Sequence, residues 1–286
     1  MLGHVYDRWS VAPGVTVDAG LFPSIYVTTV KLRTRGTFLG ASESTIDRDT
    51  STLNPRVGVA VDVLKNMTIR AAYQKRSTPR FDGELAPVDT VGLIPPTFDI
   101  AFSHADDLEG SVELELTKDT FLHGLIGYQW LSDISTLGDN KKARLVYGRA
   151  ALNRILGQYF SFSIRYHYNN SRYLDGSGRI LPGVPRDSGD ARFYFIHPCG
   201  IQLGVVESYN GKMFLDDSNK LHQGGYFKTD LFAQMELFQK HLFLSAAIQN
   251  VFDKPYLTLA SPVIHYGGIA LPARGRTFSL RGEYRF

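Results

Sequence analysis

The sequence predicts an all-β protein, an antiparallel transmembrane β-barrel meander of about thirteen strands that is incomplete as a barrel. Three observations carry this. Segments of roughly ten residues alternate apolar and polar side chains at the strand period of two. The connections alternate in length, about six tight turns with about six long loops. No apolar run approaches the roughly 18 residues of a membrane-spanning helix, which leaves strands as the route through a bilayer.

Composition narrows the classes. The 286 residues carry a net charge of +3, too little to argue for nucleic acid, and no basic run occurs. Charged residues are 21% and hydrophobic ones 43%, an average that a barrel also gives because polar lumen residues dilute the lipid-facing ones. There are 15 Tyr and 18 Phe against a single cysteine, Cys199, so neither an intrachain disulfide nor a zinc ligand set is available. The start, MLGHVYDRWS, has neither a charged nor an apolar leader region.

In chain order, Val5 to Val11 reads as a strand, followed by the turn Ala12-Pro13-Gly14 and a strand from Val15 to about Tyr26. Thr28 to Asn54 is polar, without apolar periodicity, and is expected to be a connection. Val57, Val59, Val61 and Val63 then alternate with polar or small residues, and the turn Leu64-Lys65-Asn66 leads to a partner strand with Ile69, Ala71 and Tyr73. Ser77 to His104 is a proline-rich loop. Leu108 to Leu116 and Phe121 to Leu131 form the next hairpin. The following pair is Ala143 to Leu152 and the strand from Phe160, in which Phe160, Phe162, Ile164, Tyr166 and Tyr168 oppose Ser161, Ser163, Arg165, His167 and Asn169. Ala191 to Ile196 pairs with Ile201 to Tyr209, and Tyr226 to Leu237 with Leu242 to Val251. Ser132 to Lys142, Asn170 to Gly189, Gly211 to Gly225 and Phe252 to Ala273 are the remaining loops.

The closing strand, RGRTFSLRGEYRF, sets Phe278, Leu280, Gly282, Tyr284 and Phe286 against Thr277, Ser279, Arg281, Glu283 and Arg285. An apolar face ending in aromatic-x-Phe resembles the closing strand of bacterial outer-membrane barrels, and these five residues are the expected barrel-assembly signal. Tight turns belong on the periplasmic side and long loops outside, so the last strand runs inward and the carboxyl terminus is expected in the periplasm. The first strand also runs inward, and an odd count is unlike a complete barrel. The chain is therefore expected to be the carboxyl-terminal part of a larger protein, with residues 1–286 forming one barrel domain without a plug.

Several blocks together resemble TonB-dependent receptors, the plugged outer-membrane transporters. They are VYDRWSVAPGVTVDAGLFP, the stretch Asn54 to Pro87, NVFDKPYLT at Asn250 to Thr258, and the ending GRTFSLRGEYRF. Barrels fused behind tetratricopeptide repeats resemble Thr68 to Val91 about as well. The first resemblance implies a 22-stranded barrel in a Gram-negative outer membrane, inserted by the barrel-assembly machinery and surrounded by outer-membrane lipid. It implies coupling to TonB only through a plug that these residues do not contain. The ligand it implies is a scarce one of the siderophore, cobalamin or glycan class, with no cofactor. A second reading is an export or scaffold barrel behind periplasmic repeats, and a third is a soluble all-β binding protein.

For chemistry, the polar lumen candidates are Glu113, Glu115, Arg165, His167, Arg281 and Glu283. Glu113 and Glu115 project inward about 7 Å apart along one strand, where arginines of neighbouring strands are expected to pair with them. Tyr128, Trp130, Tyr166 and Tyr168 stand near strand ends and read as an interfacial aromatic belt. Asp216 with Asp217, and Asp47 with Asp49, lack the spacing and the glutamate of a calcium loop, which favours solvated loops. No phosphate loop, nucleophile motif or metal motif is present, and the chain is not expected to be an enzyme.

Overall fold

The computed structural model describes residues 4–35, 41–77, 90–94, 104–132, 134, 141–238, 241–259 and 270–285. Period-two alternation produces strands throughout, and no helix occurs among these residues. Thirteen strands make one antiparallel meander in the order β1-β2-β3-β4-β5-β6-β7-β8-β9-β10-β13-β14-β17. They are β1 Val5–Ala12, β2 Val15–Arg35, β3 Ala41–Leu64, β4 Met67–Ser77, β5 His104–Thr117, β6 Thr120–Ser132, β7 Ala143–Leu156, β8 Phe160–Tyr173, β9 Asp187–Ile196, β10 Ile201–Asn210, β13 Tyr226–Leu237, β14 Leu242–Gln249 and β17 Thr277–Tyr284. β1 pairs with β2 and β17 with β14, and the sheet does not close.

Tight turns join the strands at one end. At Gly200 (φ +92°) a Cβ would stand 2.9 Å from the carbonyl oxygen of Glu236, so only glycine fits there without displacing the backbone. At the other end, β11 Met213–Phe214 pairs with β12 His222–Gln223, and β15 Leu257–Leu259 with β16 Ala270–Pro272. The last two expected loops thus contain short hairpins.

One expectation is corrected. Thr28 to Asn54, read as a polar connection, is largely strand: β2 and β3 stay in register from Val15↔Val61 out to Arg35↔Ala41. Apolar alternation reports a half-buried face, and this stretch of sequence shows none. The ladder pairing of the two strands carries it instead. Asp47 and Asp49 accordingly lie on β3, not in a loop.

The two faces of the sheet differ. One is bare and apolar, with Ile126 74% and Leu280 83% exposed. The other is covered by chain, and the core lies on it. Leu125, Leu131, Leu145 and Tyr147 from the strands pack there with Val91, Leu93, Ile134, Leu181 and Val184 from the connections.

Candidate functional site

The covered face is where the chain concentrates its buried polar chemistry. Strand parity explains the placement: Asp18, Gln74, Asp107, Glu109, Gln129 and Tyr147 alternate with bare-face residues and are all under 4% exposed. Asp18 accepts from Arg8 Nε at 2.7 Å and from Tyr6 Oη at 2.8 Å. Asp107 accepts from Arg76 Nη2 at 3.0 Å and from Gln129 Nε2 at 2.6 Å. Tyr147 Oη donates to Glu109 Oε1 at 2.5 Å. A polar wall built this way is stable because the carboxylates are paired across neighbouring strands.

Thr90–Ile94, a tight turn from the β4–β5 connection, seats on this wall. Thr90 is fully buried, and Val91 and Leu93 are nearly so. Val91 N–H donates to Asp18, Gln74 Nε2 donates to the Leu93 carbonyl at 3.1 Å, and Arg149 Nη1 reaches the Ile94 carbonyl at 3.5 Å. Gly58 makes the room: a Cβ there would fall 2.7 Å from Thr90 Cγ2.

The connections at the long-loop end lock to one another. Asp217 accepts from Lys141 Nζ at 3.0 Å and from Tyr173 Oη at 2.7 Å, tying two connections to the end of β8. Ile180 and Asn219 exchange hydrogen bonds at 2.7 and 2.8 Å. Burial pushes the Asp216 carboxyl up. Donation from the Ser218 hydroxyl and the Leu221 N–H outweighs it, and the group sits below its ordinary value. Asp216 and Asp217 therefore organise a loop through hydrogen bonds, and among the described residues no three acidic, histidine or cysteine side chains converge on a metal position.

The residues singled out in the sequence fall as follows. Glu113 and Glu115 lie on the covered face; Glu113 pairs with Arg70 at 2.8 Å, and Glu115 is exposed. Arg165 shares Asp190 with Arg192, at 2.8 and 2.7 Å. His167, opposite Arg149 and Ser188, is half-buried beside them. Glu283, half-buried, is held between the exposed Arg281 and Arg285 at 2.9 and 2.8 Å. Tyr128, Trp130, Tyr166 and Tyr168 are on the bare face, the rings of the first two tilted against each other at a centroid distance of 4.2 Å. Phe278, Leu280, Gly282 and Tyr284 line the bare face of β17, and Phe286 lies outside the described residues.

Sequence reasoning missed Asp18, Asp107, Glu109, Tyr147 and the Thr90–Ile94 turn. The signal for the turn was present as an apolar TVGLI inside a polar, proline-rich stretch.

No protein-family model and no curated protein matches the sequence. Solved structures do match. The ferric yersiniabactin uptake receptor of Yersinia pestis superposes with a TM-score of 0.71 at 16% identity, over 99% of this chain and 45% of that one. The copper transporter OprC gives 0.68 at 15% identity, over 99% and 48%. The ferripyoverdine receptor of the outer membrane of Pseudomonas aeruginosa gives 0.62 at 14% identity, over 98% and 37%. The fold is that of a TonB-dependent-receptor barrel. This chain spans about half the length or less of the receptors it matches. The neighbours are outer-membrane transport receptors rather than enzymes, for cargoes as different as a copper ion and an iron chelate.

Proposed function

We propose that this chain supplies wall strands and external loops of an outer-membrane receptor that carries a scarce ligand, of the siderophore, cobalamin or glycan class, into a Gram-negative cell. The observation that carries this is the pairing of a bare apolar face with a paired-ion covered face. A soluble sheet would leave Ile126, Phe278 and Leu280 in water, whereas lipid accepts them. The likeness to uptake receptors supports the same reading. Residues 1–286 act as one barrel unit, with the tight turns and the carboxyl terminus periplasmic and the locked loops outside. Tyr128, Trp130, Tyr166 and Tyr168 mark the membrane interface, and TonB engages only through a plug on the complete receptor.

Phe278, Leu280, Gly282, Tyr284 and Phe286 present the strand pattern that the barrel-assembly machinery reads. Deleting Phe286 from the complete gene product should abolish heat-modifiable protein in the outer membrane; equal insertion overturns the signal. For the function itself, the test is growth of a deletion strain with iron chelates, cobalamin or oligosaccharides each made limiting, with and without the gene. One class should show gene-dependent growth. Protein recovered in the soluble fraction without detergent overturns the reading.

A further inference from the structure

At the loop-side end of the bare face, strand register sets Trp130 of β6 opposite Arg144 of β7, and Arg144 opposite Arg172 of β8. All three side chains are exposed. Like charges directly opposite on a sheet lie about 5 Å apart and destabilise it. Among the described residues no carboxylate meets either guanidinium; Arg172 Nη1 donates to the Gly178 carbonyl at 3.0 Å, which fixes the direction of its fork. A third cation, Arg186, lies 5.5 Å over the Tyr168 ring, four residues below Arg172 on the β8 face. Arg186 has Asp187 beside it at 4.0 Å, so among the described residues it is the Arg144–Arg172 pair that lacks an anion.

Its height and its surroundings identify the anion. Both arginines stand twelve residues from the turn between Leu156 and Phe160. At the rise of a tilted strand that is about 30 Å, the thickness of a bilayer's hydrocarbon, so the pair sits at headgroup level on the outer side. Beneath Arg144 the same face of β7 carries Val146, Gly148, Ala150 and Leu152. The small residues leave an apolar trough of about 430 Å³ lined by Leu122, Gly124, Ala150, Leu152, Ile164 and Tyr166. Ala150 lies about 20 Å along the strand from Arg144, at acyl-chain depth. Paired arginines match a phosphate bidentately, and an apolar trough below them matches what hangs from a lipid phosphate.

We propose that Arg144 and Arg172 bind the phosphate of an outer-leaflet glycolipid, with Arg186 at the flank and an acyl chain in the trough over Gly124 and Ala150. This rests on the outer-membrane reading above. A free phosphate ion offers the arginines the same chemistry but leaves the trough unused.

The complete gene product, extracted from outer membranes in detergent, should retain lipid phosphate through detergent exchange, read by native mass spectrometry. Arg144→Gln with Arg172→Gln should cut retention about tenfold. Lys65→Gln with Lys118→Gln, the same charge change in turns at the opposite end, should leave it unchanged. Adding back bisphosphorylated lipid A should raise the thermal midpoint of wild type but not of the arginine variant, and dephosphorylated lipid A or inorganic phosphate should do neither. Equal retention by the arginine variant overturns the site, and so does stabilisation by inorganic phosphate alone. If all variants reach the outer membrane, only this inference falls; if wild type does not, the membrane reading falls and the inference with it.

Discussion

The backbone N–H of Val91 donates to Asp18 Oδ2 at 2.7 Å across 73 residues of chain, and that bond fixes a connection to the wall of the sheet. Asp18 is fully buried and already holds Arg8 and Tyr6. The carboxylate thus joins β1, β2 and the Thr90–Ile94 turn at one point. A connection seated this way narrows the space beside the polar wall.

Asp18→Ala should release the turn. Removing one member of a fully buried pair costs about 3–5 kcal/mol; Arg8 is half exposed and rehydrates, so about 2–3 kcal/mol is expected here. In a Cys199→Ser background, Leu93→Cys should be protected from thiol reagents and become reactive once Asp18 is alanine. Unchanged protection would show that the turn is held by packing alone.

Gly127 should tolerate no side chain. The Tyr147 ring lies over it from the neighbouring strand, and a Cβ would fall on the ring. Gly204 under Phe232 repeats the device on β10 and β13. Tyr147→Phe removes only the bond to Glu109, worth about 1.5–3 kcal/mol for a charged acceptor. Gly127→Ala displaces the ring as well and should cost about 1–3 kcal/mol more. Unfolding midpoints in detergent compare the two; a milder effect for Gly127→Ala would mean that the ring moves freely.

These residues also mark how much the sequence reveals. The meander, its thirteen strands and the face of every strand around Phe160–Tyr168 follow from alternation, because one apolar face imposes period two. The Arg70–Glu113 pair was within reach, since adjacent strands place like-facing residues together. Asp18 was not, because its partners Tyr6 and Arg8 read as polar interruptions and Val91 lies in a loop with no period. The extension of β2 and β3 escaped for a different reason: its sequence has no regular apolar alternation, and the ladder that continues the two strands leaves no mark in the side-chain pattern.

The Asp175 turn should survive mild acid. The Ser177 hydroxyl and N–H donate to its carboxylate and Arg179 pairs with it, which together hold the carboxyl well below the usual aspartate range. A group depressed in the folded state contributes stability that is full above its unfolded value, near pH 4, and is lost as pH falls towards the folded value. Exchange protection of the Ser177 and Arg179 amides, corrected for intrinsic rates, should stay constant down to about pH 4 and decline below it. Asp175→Asn should lower it across the whole range. A loss of protection already between pH 6 and 5, by about an ordinary histidine titration, would place control elsewhere.

Ile126 gives the sharpest test of what the bare face meets. It sits mid-strand on β6, 74% exposed, and its neighbours on that face are Leu122, Gly124, Tyr128 and Trp130. In water, arginine at so open a position is nearly neutral and improves solubility. In a bilayer the same substitution places a charge near the midplane and costs about 2–4 kcal/mol. His123, three residues away, faces the covered side opposite Glu113 and Ala151, so His123→Arg puts the same charge beside a carboxylate. Refolding the complete gene product into vesicles should therefore separate the two variants, with Ile126→Arg losing much of the heat-modifiable form and His123→Arg keeping it. If the order reverses, the assignment of faces is inverted. If both behave as wild type and need no detergent, the bare face meets water, and the soluble all-β reading replaces the membrane one.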